Sequence, residues 1–205
     1  MNKQIRNIIF DLGGVLIDLD IERGVKVLAE AGMTDVRHLL TGTAESGIFR
    51  AYECGDITTA QFRDELRAAL NRPLSDVEID RIWNSMLLGV PTEKLDLLIE
   101  LRKHYHLFLL SNNNELHWKH GLAFFHYRGM EMDDFFERIF LSCRMHVAKP
   151  DPDIFRRMMA DAGIKPEETL FIDDSEANCQ AASALGIHAI HYTPGEDLKK
   201  RLECN

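Results

Sequence analysis

The chain has 205 residues, 45% hydrophobic and 28% charged, a balance that excludes a disordered segment, a collagen-like repeat and a disulfide scaffold. Lys and Arg number 24 against 33 Asp and Glu, and the formal charge of −9 argues against nonspecific binding to nucleic acid or an anionic membrane. A small anionic substrate stays open, because a site needs only local positive potential, and the length suits one large domain or a core with an insert.

The first apolar run, Ile5–Phe10, predicts a buried strand ending at Asp11-Leu12-Gly13-Gly14. Its continuous part, Ile8–Phe10, is too short for a secretory signal, and no stretch of the chain approaches the roughly 18 apolar residues that span a bilayer. From Leu19 to Leu88 the periodicity is helical and no strand is predicted. Val25, Leu28 and Ala29, then Phe62, Leu66 and Leu70, then Val77, Ile79, Ile82 and Trp83 are spaced to pack helices, with turns at Gly55-Asp56 and Arg72-Pro73. A helix entered at Pro91-Thr92 carries Leu95, Leu98, Ile99 and Leu101.

A second strand, His106–Leu110, ends at Ser111-Asn112-Asn113-Asn114, and a third, Arg138–Leu141, ends at Ser142. Asp151-Pro152-Asp153 opens a helix through Met159, stopped by Gly163 and Pro166. The fourth strand, Thr169–Ile172, ends at Asp173-Asp174; Ser175 then caps a helix through Ala181, Ala182 and Leu185 to Gly186. The fifth strand, Ile187–His191, runs to Thr193-Pro194-Gly195. Strands alternating with helices predict an α/β fold: a doubly wound parallel sheet, Rossmann-like, formed by residues 1–18 and 89–205, with an all-helical cap at 19–88 inserted after the first strand.

In an open parallel sheet, ligands bind outside the carboxyl ends of the strands. Those ends carry Asp11, Ser111 with Asn112, and Asp173 with Asp174, and the loop at Lys149-Pro150 adds a cation. Each alone is an ordinary turn, since turns favour Asp, Ser and Gly. Together they offer a nucleophilic carboxylate, hydroxyl and amide donors, an ammonium and a carboxylate pair. Clustered carboxylates favour a hard divalent ion such as Mg²⁺, which with Lys149 would neutralise a phosphate and let an aspartate attack it.

The order Ile8-Ile9-Phe10-Asp11-Leu12-Gly13-Gly14-Val15, Leu110-Ser111-Asn112, Lys149-Pro150-Asp151-Pro152-Asp153-Ile154-Phe155 and Phe171-Ile172-Asp173-Asp174 closely resembles the haloacid dehalogenase superfamily. The resemblance covers the whole chain. Phe10-Asp11-Leu12-Gly13 followed by Ser111-Asn112-Asn113-Asn114 further resembles the subgroup that contains the bacterial α-D-glucose-1-phosphate phosphatase. It implies a Mg²⁺-dependent phosphatase acting on a small phosphorylated metabolite, such as a sugar 1-phosphate, through an aspartyl-phosphate. It implies Asp11 as nucleophile and metal ligand, the Gly13 carbonyl and Asp174 as further metal ligands, and Asp173 as orienter of the metal's waters. Ser111 and the Asn112 amide would hold phosphate oxygens, and Lys149 would offset charge between Asp11 and the phosphate. Neither nucleic acid nor membrane is an expected partner, and no oligomeric state is assigned.

One departure matters. Most phosphatases of this superfamily carry an acid–base Asp two residues after the nucleophile, where this chain has Gly13. Losing such a group costs roughly 10²–10⁴ in rate, and the departing oxygen then carries more charge, so acidic leaving groups are favoured unless another residue supplies the proton. Gly13 therefore keeps a catalytically weak binding or regulatory protein as the alternative function. Asp18 and Asp20 are candidate substitutes, although entry to the first cap helix is their expected role.

His117, His120 and His126 match no zinc pattern and read as a solvated helix face, His117 lying closest to the Ser111 strand end. Cys143 with His146 makes a weak ligand pair, and Trp83 and Trp118 read as packing residues. Cys54, Cys143, Cys179 and Cys204 include no Cys-x-x-Cys pair and suit a reducing compartment, so the cytoplasm is expected.

Overall fold

The computed structural model describes residues 4–33 and 47–204; residues 34–46 of the expected cap lie outside the described residues. Among the described residues there are seven strands: β1 (Asn7–Phe10), β2 (Asp18–Leu19), β3 (Leu87–Gly89), β4 (His106–Ser111), β5 (Arg138–Leu141), β6 (Thr169–Asp173) and β7 (His188–His191). Five form a sheet in the order β5-β4-β1-β6-β7, every pairing parallel.

Alternate residues of the central strands feed different cores. Ile8, Phe10, Leu107, Leu109, Leu170 and Ile172 pack with Leu95, Leu98, Leu198 and Leu202 on one face. Ile9, Phe108, Leu110 and Phe171 pack with Ile154, Phe155, Met158 and Ala182 on the other. A sheet covered on both faces explains why these strands read as unbroken apolar runs. The covering helices are Thr92–Leu101, Pro152–Ala162, Glu176–Ala184 and Leu198–Glu203. Asp151 and Ser175 cap the second and third of these, and left-handed Gly163 ends the second.

Between β2 and β3 lie the helices Ile21–Ala31, Ile48–Glu53, Thr59–Leu70 and Asp76–Trp83. Thr58 and Ser75 open the last two with reciprocal caps to Gln61 and Glu78. Their apolar faces share a separate core in which Phe49 stacks on Trp83 at 4.9 Å and Tyr52 on Phe62 at 4.2 Å. Three expectations for this stretch need correction. Val77 is 77% exposed and Ala29 is also exposed, because their helices turn only a narrow stripe inward. Leu19 and Leu87-Leu88 are not helical: β2 and β3 form an antiparallel ribbon, pairing Asp18 with Gly89 and Leu19 with Leu87. Strands of two and three residues are too short to show a period.

His117 also departs from expectation. It is not on a solvated face with His120 and His126, which are exposed, but half-buried and stacked on Trp83 at 4.7 Å. Its Nε2 lies 3.1 Å from the Trp83 carbonyl, an arrangement that makes that nitrogen the donor. Trp83 Nε1 in turn donates to Asn114 Oδ1 at 3.2 Å, so the contact ties the helical stretch to the helix Glu115–Leu122.

Burial pushes the His117 pKa down from 6.5 to about 4. A histidine depressed in the folded state gives stability that is complete above its unfolded pKa and lost as pH falls through the folded one. His117→Gln removes this linkage. The stability gap between wild type and variant, read from urea unfolding, is expected to narrow by about 3 kcal/mol between pH 7 and pH 4. A gap independent of pH overturns that reading.

Candidate active site

The carboxyl ends of β1, β4 and β6 converge on one point. Asp11 continues β1, its N–H donating to the Ile172 carbonyl at 2.9 Å, which sets it beside the end of β6. Lys149 enters from the loop before the helix Pro152–Ala162 and is 2% exposed. Its Nζ donates to Asp11 Oδ1 at 2.7 Å, to Asp173 Oδ2 at 2.5 Å and to the Leu110 carbonyl at 2.9 Å. All three ammonium protons are thereby used.

Asp173 is fully buried and saturated. Besides Lys149 it accepts from the Ser175 N–H at 2.8 Å and from Asn178 Nδ2 at 3.0 Å. Asp11, Asp173 and Asp174 each bring a carboxylate oxygen within 4.8 Å of the others. Three carboxylates around one ammonium leave an excess of negative charge in a low-dielectric pocket, which disfavours the charged form of Asp11 and Asp174. Burial pushes the Asp11 carboxyl up to about 7, against the pull of Lys149 and with the repulsion of Asp173 and Asp174. Burial and Asp173 likewise raise Asp174. Burial opposes the charge on Lys149, but Asp11 and Asp173 outweigh it and its pKa is raised.

This donor set fits a divalent cation, whose charge would balance the cluster and whose preferred ligands are oxygens. Gly14 supports the same fit. Its φ is +78°, and a Cβ there would lie 2.2 Å from Asp174 Oδ2, so a bare backbone is what lets the loop after β1 close on the last carboxylate.

The remaining expected residues divide. Ser111 is buried, and among the described residues its hydroxyl makes only a long 3.4 Å contact with the Asn112 carbonyl, a weak bond that an anion could replace. The Asn112 side chain is committed elsewhere: Nδ2 donates to the Lys149 carbonyl and Oδ1 accepts from the Lys149 N–H, both at 2.8 Å. It clips the lysine loop in place, with one Nδ2 proton and the main-chain N–H not used by these two bonds. Gly13 lies in the loop between Asp11 and Gly14, and a Cβ there would meet Leu19 Cδ1 at 3.2 Å.

Neither acid–base substitute considered for Gly13 is free. Asp18 pairs with Lys94 at 2.7 Å, and Asp20 caps the helix Ile21–Ala31 by accepting from the Arg23 N–H at 2.8 Å. Cys143 and His146 join no metal-binding group among the described residues. Trp83 and Trp118 are buried, as packing residues are. Asn178 was not legible beforehand. It sits at the third position of a helix capped by Ser175, and only that helix's placement reveals that its amide turns back onto Asp173.

The model of the haloacid dehalogenase-like hydrolase family matches residues 5–186. A D-ribitol-5-phosphate phosphatase of Bacteroides thetaiotaomicron is 33% identical over 200 residues, 97% of either chain. A phosphoglycolate phosphatase of Pseudomonas putida is 30% identical over 93% of this chain and 70% of its own length. The solved structure of a HAD family enzyme from Bacteroides thetaiotaomicron, in complex with magnesium and inorganic phosphate, is 45% identical with a TM-score of 0.90, covering 96% of this chain and 98% of that one. A predicted HAD-like hydrolase of Porphyromonas gingivalis is 37% identical with a TM-score of 0.88, covering 98% and 97%. With the family's match running from before β1 to beyond β6 and the fold shared throughout, the chain belongs to the haloacid dehalogenase-like hydrolases.

Proposed function

We propose that this hydrolase is a Mg²⁺-dependent phosphatase of small phosphorylated metabolites, with sugar and sugar-alcohol phosphates as its substrate class. The observation that carries the reading is the Lys149 ammonium held between Asp11 and Asp173 beside Asp174. Asp11 is the nucleophile. Lys149 orients it and favours its anionic form, and Asn112 fixes the lysine loop that makes this possible. Asp11, Asp174 and the Gly13 carbonyl would hold Mg²⁺, with Asp173 orienting its water. Bound there, the ion supplies positive charge that draws a phosphate against Asp11. Ser111 Oγ and the Asn112 N–H bind phosphate oxygens, and attack by Asp11 forms an aspartyl-phosphate that water hydrolyses. Sugar-alcohol phosphates are supported by the similarity to the D-ribitol-5-phosphate phosphatase, small phosphorylated metabolites in general by the phosphoglycolate phosphatase as well, and the cytoplasm by four free cysteines.

Steady-state assay of the pure protein tests this with sugar 1-phosphates, pentitol 5-phosphates and aryl phosphates, with Mg²⁺ and in excess chelator. Turnover of sugar or polyol phosphates that disappears in chelator is expected. Full activity in chelator overturns the metal's role. Hydrolysis of none of the panel, with phosphate still bound, replaces the reading with that of a binding protein.

A further inference from the structure

We infer that Glu53, brought to the strand ends by the helical stretch between β2 and β3, supplies the acid–base group that position 13 lacks. The inference rests on the phosphatase reading above. Glu53 is the last residue of the helix Ile48–Glu53, and two contacts fasten it to the sheet. Its carbonyl accepts from Ser142 Oγ at 2.6 Å, and the same hydroxyl accepts from the Asn113 N–H at 2.9 Å, next to the Ser111-Asn112 strand end. Two residues on, Gly55 has φ +70°, and a Cβ there would lie 2.1 Å from the Cys143 carbonyl oxygen. The chain after Glu53 is therefore pressed onto the end of β5 by a turn that excludes other residues.

Asn113 adjoins Asn112, whose side chain holds the Lys149 loop at 2.8 Å, so the end of the helix carrying Glu53 is tied to the strand end beside the Asp11 site, and the charge of Lys149 acts on the Glu53 carboxyl in keeping with that placement. Among the described residues that carboxyl makes no side-chain hydrogen bond or ion pair, whereas Asp18 is held by Lys94, Asp20 by its cap and Glu115 by Arg144. The space beside Gly13, where an acid–base side chain would begin, is filled by Leu19. Burial raises the pKa of Glu53 while Arg50 and Lys149 oppose it, a setting in which a carboxyl can carry a proton nearer neutrality.

The proton movements balance. An Asp11 oxygen forms its bond to phosphorus as the bond from phosphorus to the alcohol oxygen breaks, and the Glu53 proton passes to that departing oxygen. The Glu53 carboxylate then takes a proton from the water that attacks the aspartyl-phosphate. Inorganic phosphate leaves, with the Asp11 carboxylate and the Glu53 carboxyl restored.

The test is kcat/KM across alkyl and aryl phosphates of graded leaving-group acidity, for wild type and Glu53→Gln. Wild type is expected to depend weakly on that acidity. Glu53→Gln should lose roughly 10²–10³-fold on sugar phosphates and progressively less as the leaving group becomes more acidic, so the dependence steepens. A merely structural role would lower every substrate by a similar factor, and that parallel loss, or no loss, overturns the assignment. A steep dependence in wild type also overturns it, and this arm needs no variant to fold. Wild-type protein that hydrolyses no phosphate overturns the phosphatase reading itself, an outcome distinct from active wild type with a parallel loss in Glu53→Gln.

Discussion

Asp11→Asn should lower turnover on the order of 10⁴-fold or more while leaving the protein folded, because the variant keeps the shape of the side chain and removes the nucleophile. Its effect on stability should have the opposite sign. Asp11 lies in a buried cluster of carboxylates whose repulsion and desolvation raise its pKa to about 7, so metal-free protein at pH 8 carries a charge there at a cost. The neutral amide relieves that cost, and although it weakens the contact with Lys149, it leaves the ammonium its bond to Asp173. The thermal midpoint of the metal-free variant at pH 8 is expected to match or exceed that of wild type. Initial rates on a sugar phosphate, with mass spectrometry to show that the Asn has not deamidated back to Asp, check the first half. Activity within tenfold of wild type would remove Asp11 from the chemistry.

Lys149→Met should be the more damaging change to the fold. The side chain is 1% exposed and bonded to two carboxylates and a carbonyl, so its loss leaves Asp11 and Asp173 facing each other without a cation. Breaking a buried pair from one side costs about 3–5 kcal/mol, where replacing both partners by apolar groups can cost nothing. The penalty depends on pH with a defined sign. A carboxyl whose folded pKa is raised is favoured by protonation, so the variant should recover part of its loss as pH falls from 8 toward 5 and Asp11 takes up a proton. Urea unfolding of metal-free wild type and variant at the two pH values measures this. A difference below about 1 kcal/mol at pH 8 would mean that Lys149 does not hold the cluster together.

Much of this site could be read before any coordinates, for a physical reason. A strand buried on both faces is a short apolar run, and the polar residue that ends it marks a position on the ligand-binding edge of the sheet. Asp11, Ser111, Asp173 and Asp174 were legible in that way, as were the helices begun by Asp151 and Ser175, whose caps are local chemistry. What escaped depends on distant partners. The ribbon of β2 and β3 joins residues about 70 apart in strands too short for a pattern. His117 follows a polar segment and looked solvated, yet the ring of Trp83 from another element covers it. The Asn112 side chain was expected only as part of an anion site, and its commitment to the Lys149 main chain depends on how two loops meet. Glu53 stands outside the residues whose spacing marks the helical stretch, and only the contacts of Ser142 and Gly55 bring it to the strand ends.

The ribbon also bears on the order in which the chain folds. β1 is the central strand, yet its neighbours β4 and β6 lie roughly 100 and 160 residues later, so the strand carrying Asp11 has the most distant partners in the sheet. Closing loops of that length is entropically slow, and contacts so far apart in sequence delay the step that forms them. Pairing Asp18 with Gly89 shortens the first of those loops. Once the helices described between β2 and β3 have gathered on Phe49, Phe62 and Trp83 and the ribbon has closed, about 7 residues separate β1 from the ribbon and about 16 separate the ribbon from β4. The antiparallel pair thus acts as a kinetic staple: the helical stretch can form early without leaving the N-terminal strand to search the length of a random chain.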